Sequence, residues 1–121
     1  MNVTVSFHGI SHRSSEQRLR EVLAAQARRI ERRLGSFNPD LVRFEGHIEK
    51  NPNHHLYGVS LRLKLPTEVL ATAAEGHDLK AVITEALDDL ERRLDKHLAR
   101  LRGAFARKRE DSLRDMRVAA L

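Results

Sequence analysis

At the start of the chain Val3, Val5 and Phe7 alternate with Asn2, Thr4 and Ser6. A period of two marks a strand with one buried and one solvated face, here over about residues 2–8. After the loop GISHR, Leu19, Val22, Leu23, Ala27, Ile30 and Leu34 recur at three- and four-residue spacing. That spacing predicts an amphipathic helix over about 15–34, with Ser14 or Ser15 as its N-cap and Gly35 where a C-cap would stand. Val42, Phe44 and Ile48 then alternate with Arg43, Glu45, His47 and Glu49, with Gly46 as a thin spot or bulge on the apolar side. KNPNHH is a turn signal. Tyr57, Val59, Leu61, Leu63 and Leu65 form a second alternating run, which Pro66 ends, and EVLATAAEG supplies a fourth strand. Asp78 is placed to cap a second helix whose apolar positions run from Leu79 through Val82, Ile83, Ala86, Leu87, Leu90, Leu94 and Leu98 to Leu101. That helix spans about 78–102 and extends as far as 110 if the charged continuation is helical.

The order β-α-β-β-β-α with two amphipathic helices predicts an α+β fold. It is a two-layer sandwich with both helices on one face of a four-stranded sheet, in the manner of a double-stranded-RNA-binding domain. The other face, with Arg62 and Lys64, is left to water. The expected domain covers 1–102, and 103–121 reads as a charged C-terminal tail or helical extension, because the apolar stripe thins after Gly103.

Composition narrows the chemistry. A chain of 121 residues is one modest domain. With no cysteine it has no disulfide framework, thiolate metal site or cysteine nucleophile. The N-terminus lacks a basic export region and the longest apolar stretch is the short VLATAA, so neither export nor membrane insertion is expected and a cytoplasmic home fits. His54, His55 and His47 across one hairpin are the best metal candidates. No His-x3-His on a helix supports them, and no metal is expected. Glu45 and Glu49 beside His47 read as surface charge, since nothing marks a nucleophile with its base. No glycine-rich loop joins a strand to a helix, so no cofactor is expected, and the chain reads as a non-enzyme without a small-molecule substrate.

Charge is the informative feature. The chain carries a formal +5, and from Arg92 to Arg109 eight lysines and arginines face a single acid, Asp95. At 100° per residue, Arg93, Lys96, Arg100 and Arg107 fall on one flank of the second helix. On the first helix Arg18, Arg29 and Arg33 share a flank. Flanking arginines often merely cover a core edge with their methylenes, and Glu85, Asp88, Asp89, Glu91 and Asp95 can pair with neighbouring cations. Two stripes in one small domain favour a polyanion partner. The candidate RNA-binding residues are Arg29, Arg33, Arg92, Arg93, Lys96 and Arg100. Phe7, Phe44 and Tyr57 lie on core-side positions, so no exposed row of rings is available to stack bases, and contacts would go to the backbone of folded RNA. A competing reading is a protein-interaction module whose tail, with Phe105, Leu113 and Met116 at helical spacing, docks a partner helix. Self-association is left open.

The segment LATAAEGHDLKAVITEALDDLERRLDKH resembles the C-terminal half of the ribosome hibernation-promoting factor and ribosome-associated inhibitor A family. Ala74, Glu75, Gly76, Asp78, Ala81, Ile83, Leu90, Glu91, Arg92, Leu94 and Lys96 match its motif. LREVLAAQARRIERRL is similar to the family's first helix, with Arg29 in place of a lysine. Lys80 and Thr84 stand where the family has a tyrosine and a second aspartate, and Gln26 replaces a lysine. The resemblance, over about residues 1–102, implies a cytoplasmic translation inhibitor. Its partner would be the small ribosomal subunit and its rRNA near the decoding centre. Long members carry a separate dimerisation domain, and residues 103–121 are too few for one, which implies the short type.

Overall fold

The computed structural model describes residues 1–10, 13–35, 37–51, 53 and 55–119, and side chains for all of these except 13–15 and 105–119. The alternating runs form β1 (Asn2–His8), β2 (Arg43–Asn51), β3 (Leu56–Lys64) and β4 (Val69–Gly76), and the three- and four-residue spacings form α1 (Arg13–Glu31) and α2 (Leu79–Ala119). The sheet order is β1-β2-β3-β4. β1 runs parallel to β2, as a strand-helix-strand crossover requires, and the other two pairings are antiparallel. The result is the expected α+β fold. The chain divides into two compact units, Met1–Glu91 and Arg92–Leu121.

In the first unit, the period-two pattern sends Phe44, Ile48, Val59, Leu61 and Leu63 to one face of the sheet, each at most 1% exposed. Helix residues meet them there. A methyl group on Gly46 would lie 3.6 Å from Leu23 of α1 and 3.5 Å from Leu61. Over β4, the Thr72 hydroxyl donates to the Ala86 carbonyl oxygen of α2 at 3.1 Å, which satisfies the one buried polar side chain of the sheet. Leu23, Ile30 and Leu90 are fully buried, each contributing roughly 1.5–3 kcal/mol relative to exposure.

The ends of α1 differ from the sequence expectation. The helix begins by Arg13, so Ser14 and Ser15 lie inside it rather than at its cap. Its last turn tightens into three-residue bonds, Arg33 N–H to Ile30 O and Leu34 N–H to Glu31 O, both 3.0 Å. Those bonds take up terminal carbonyls without a left-handed residue, and Gly35 has no positive φ. The ladder passes through Gly46 in unbroken register, Val5 to Gly46 to Leu61, so this glycine is a space for Leu23 and not a bulge. Gly9 is the glycine whose conformation matters. Its φ is +77° and an added Cβ would stand 2.6 Å from the Lys50 carbonyl oxygen. Asp78 does cap α2, its Oδ1 accepting from the Lys80 amide at 3.2 Å. The helix is longer than expected, reaching Ala119.

Candidate nucleic-acid interface

The positive charge is segregated along the chain. Met1–Glu91 holds twelve lysines and arginines against thirteen acids, a net of −1, and Arg92–Leu121 holds ten against four, a net of +6. A field of that sign and density attracts phosphates, and one concentrated on a single element gives them a defined place to dock.

Arg92, Arg93, Lys96 and Arg100 are exposed residues of α2 in the second unit. Lys96 and Arg100, one turn apart, border a shallow depression floored by Ala99, Gly103 and Ala104. Arg93 lies three residues before Lys96 and so continues the same strip. Small side chains between long cationic ones leave room for a backbone of phosphate and sugar to approach the helix. Leu94, His97 and Leu98 are the buried side chains of this unit among the described residues. Arg107, Phe105, Leu113 and Met116 lie outside the described side chains.

Arg29 and Arg33 of α1 share a flank as the helical period requires, and the structure brings both to one acid. Arg29 Nη2 stands 3.3 Å from Glu91 Oε1, and Arg33 Nη2 stands 3.3 Å from Glu91 Oε2. Arg29 also donates to Gln26 Oε1 at 3.2 Å. The Glu91 side chain is 13% exposed and those of the two arginines 54% and 38%. One carboxylate thus holds two guanidinium groups at a partly wet surface. The cluster keeps a net positive charge and has its donors pre-positioned. Sequence reasoning missed this fork, because Glu91 and Arg33 are 58 positions apart and only tertiary packing joins them.

The outer face of the sheet is electrically different. Lys64 Nζ lies 3.1 Å and Arg43 Nη1 4.0 Å from Glu45 Oε1. Ser6 Oγ and His47 Nδ1 are 2.8 Å apart, and His47 Nε2 is 3.8 Å from Glu49 Oε2. Two of its cations, Arg43 and Lys64, are answered by Glu45, and Glu49 adds a further negative charge, so the face offers phosphates less than the α2 strip does. Of the candidate metal ligands, His54 lies outside the described residues, His47 is engaged with Ser6, and the His55 carbonyl oxygen accepts from His77 Nδ1 at 3.2 Å. Among the described residues no three metal-ligating side chains gather. Three of the aromatic rings are engaged as well. Phe44 is fully buried, Arg20 lies 5.1 Å over Phe7, and Lys50 lies 5.5 Å over Tyr57. No helix among the described residues is long and apolar enough to cross a membrane.

Comparison with known proteins gives a family and two fold neighbours. The family model described as Sigma 54 modulation protein / S30EA ribosomal protein matches residues 3–102. A ribosomal subunit interface protein from Coxiella burnetii is similar in fold, with a TM-score of 0.62 and 20% identity, over 82% of this chain and 99% of that one. The N-terminal domain of Thermus thermophilus Protein Y is similar with a TM-score of 0.64 and 16% identity, over 80% of this chain and 99% of that one. A search of curated proteins returns no match.

Proposed function

Because the chain belongs to the sigma 54 modulation protein / S30EA ribosomal protein family, we propose that it is a ribosome-associated, non-enzymatic factor that restrains translation. Its partner in this reading is the small subunit, near the decoding centre, and its contacts go to the rRNA backbone. The observation that carries the reading is the charge segregation, +6 in the thirty residues from Arg92 and −1 in all the rest. Family membership supports ribosome association, and the chemistry of the strip supports RNA backbone as what it touches. Arg93, Lys96 and Arg100 supply the phosphate contacts. Arg29 and Arg33, held by Glu91, present a second and more rigid pair of guanidinium groups, whose planar forks suit phosphate oxygens.

Binding that rests on displaced counterions weakens steeply as salt rises. The test is co-sedimentation of the chain with purified small subunits across a salt series, in parallel with in vitro translation. Binding that falls log-linearly with salt, together with inhibition of initiation, is the expected result. A chain that stays at the top of the gradient at low salt, or whose affinity ignores salt, overturns it.

A further inference from the structure

The helix layer of the first unit contains a cleft of whose lining the reading above uses only Arg29. Its volume is about 570 Å³, within the size range of small-molecule sites. It lies between α1 and the start of α2, and no sheet residue lines it among those described. The floor is apolar: Leu19 and Val22 from α1, Ile83 and Leu87 from α2. Val22 is 46% exposed, a large apolar side chain left facing water in an otherwise ordinary amphipathic helix.

The cleft is polar in a directed way. At one end stand Arg18 and Lys80, and among the described residues neither side chain makes an ion pair. Lys80 lies in the first turn of α2, where the aligned peptide dipoles add positive potential. Towards the other end, the lining residues are Gln26, Arg29 and Asp88, and Arg29 is already taken by Glu91 and Gln26. From Leu19 to Gln26 the groove runs about 10 Å along α1. One anion-seeking end, an apolar middle and a self-satisfied far end match a molecule with one charge and one tail. A groove this short offers far less than the roughly 800 Å² per partner that a stable protein contact buries.

We propose that the cleft between α1 and α2 binds a small free amphiphile, an alkyl chain of medium length ending in a carboxylate or phosphate, with the head at Arg18 and Lys80 and the tail over Leu19, Val22, Ile83 and Leu87. The test titrates the full chain with decanoate and decyl phosphate below their micelle concentrations, followed by calorimetry and methyl NMR, with decanol and decyltrimethylammonium as controls. The expected result is saturable one-site binding, with shifts at the floor methyls and affinity at least about tenfold weaker for both controls. Arg18→Glu with Lys80→Glu lowers affinity for the anions about tenfold and leaves decanol unchanged. Val22→Asp, at an exposed position, abolishes binding with the circular dichroism spectrum intact. Equal affinity for decanol and decanoate overturns the proposal, as do methyl shifts elsewhere. So does binding to phosphatidylglycerol vesicles without any response to the monomeric probes, which would make the surface a membrane contact. Co-sedimentation of the same variants with small subunits, without amphiphile, reads the ribosome separately, so failure of one reading is distinguishable from failure of the other.

Discussion

Ninety-one residues of this chain carry a net charge of −1 and the remaining thirty carry +6. The first stretch holds the sheet, α1 and all but two of the buried hydrophobic side chains among the described residues, the exceptions being Leu94 and Leu98. The second is helical to Ala119 and has four exposed cations in its first nine residues. Burial and charge thus lie in different parts of the sequence. A core is built from apolar area removed from water and does not depend on charge screening. A strip of exposed charge adds little to stability, because solvent-exposed ionic contacts are worth little. Separating them lets one vary without the other.

The largest effect that would break this comparison is charge reversal in the second stretch. Arg93→Glu, Lys96→Glu and Arg100→Glu together lower the net charge by six and bring Arg92–Leu121 to neutrality. Binding to small subunits is expected to vanish at moderate salt, and any residual binding should show a salt slope lower by about three. The melting temperature should move little, since the changes are exposed and away from the core. An inhibitor that still works with these three changes shows that the strip is only a solvated helix face.

The mirror experiment lies in the core. Leu61→Ala removes a fully buried side chain at the centre of the sheet and should cost about 2–5 kcal/mol in denaturant unfolding, with ribosome affinity per folded molecule unchanged. Gly76→Ala belongs to the same class. Its new methyl carbon would meet Val82 Cγ2 at 2.8 Å, so about 1–3 kcal/mol of overpacking is expected by the same measurement.

A smaller effect sharpens the boundary itself. Arg62→Glu with Lys64→Glu on the sheet's outer face lowers the net charge by four, yet Lys64 is already matched by Glu45. Affinity should fall several times less than with the helix triple, through lost long-range attraction alone. Equal losses from both faces, in the same gradient assay, would mean that net charge rather than place governs binding. The smallest effect is that of Glu91→Gln. It releases Arg29 and Arg33 from their shared carboxylate and should cost less than about 1 kcal/mol of stability, with a slightly steeper salt dependence of binding because one negative charge is removed from beside the two guanidinium groups.

These predictions draw on features of unequal legibility. The four strands could be read from the sequence because each is buried on one face only, so Val59, Leu61 and Leu63 stand out against Ser60 and Arg62. The stripe on α2 was legible for a similar reason, since a helix turns every residue by a known angle. The start of α1 was not, because serines that can cap a helix can also sit in its first turn, and local chemistry alone does not choose. Neither was the fork at Glu91. Its carboxylate looked like a partner for cations one turn away on its own helix, and the structure gives it two on the other. The cleft between the helices also escaped, since a wheel shows which side of one helix is apolar but not how closely a neighbour covers it. Val22 fitted the apolar stripe and yet remains half in water.

One topological detail bears on how the fold is reached. β2, β3 and β4 are antiparallel neighbours joined by short connections, so they can zip together from local turns. β1 must find β2 in parallel, Asn2 beside Arg43, with all of α1 looped between them. Closing that loop loses chain entropy before any contact repays it. β1 also buries just Val5 below one tenth exposure, whereas β2 and β3 each bury several side chains. The meander is therefore expected to form first and the N-terminal strand to join it late, which φ-value measurements in β1 and β3 would check. In the folded protein the same strand is expected to open more readily than the middle of the sheet, with its amides exchanging ahead of those in β2 and β3.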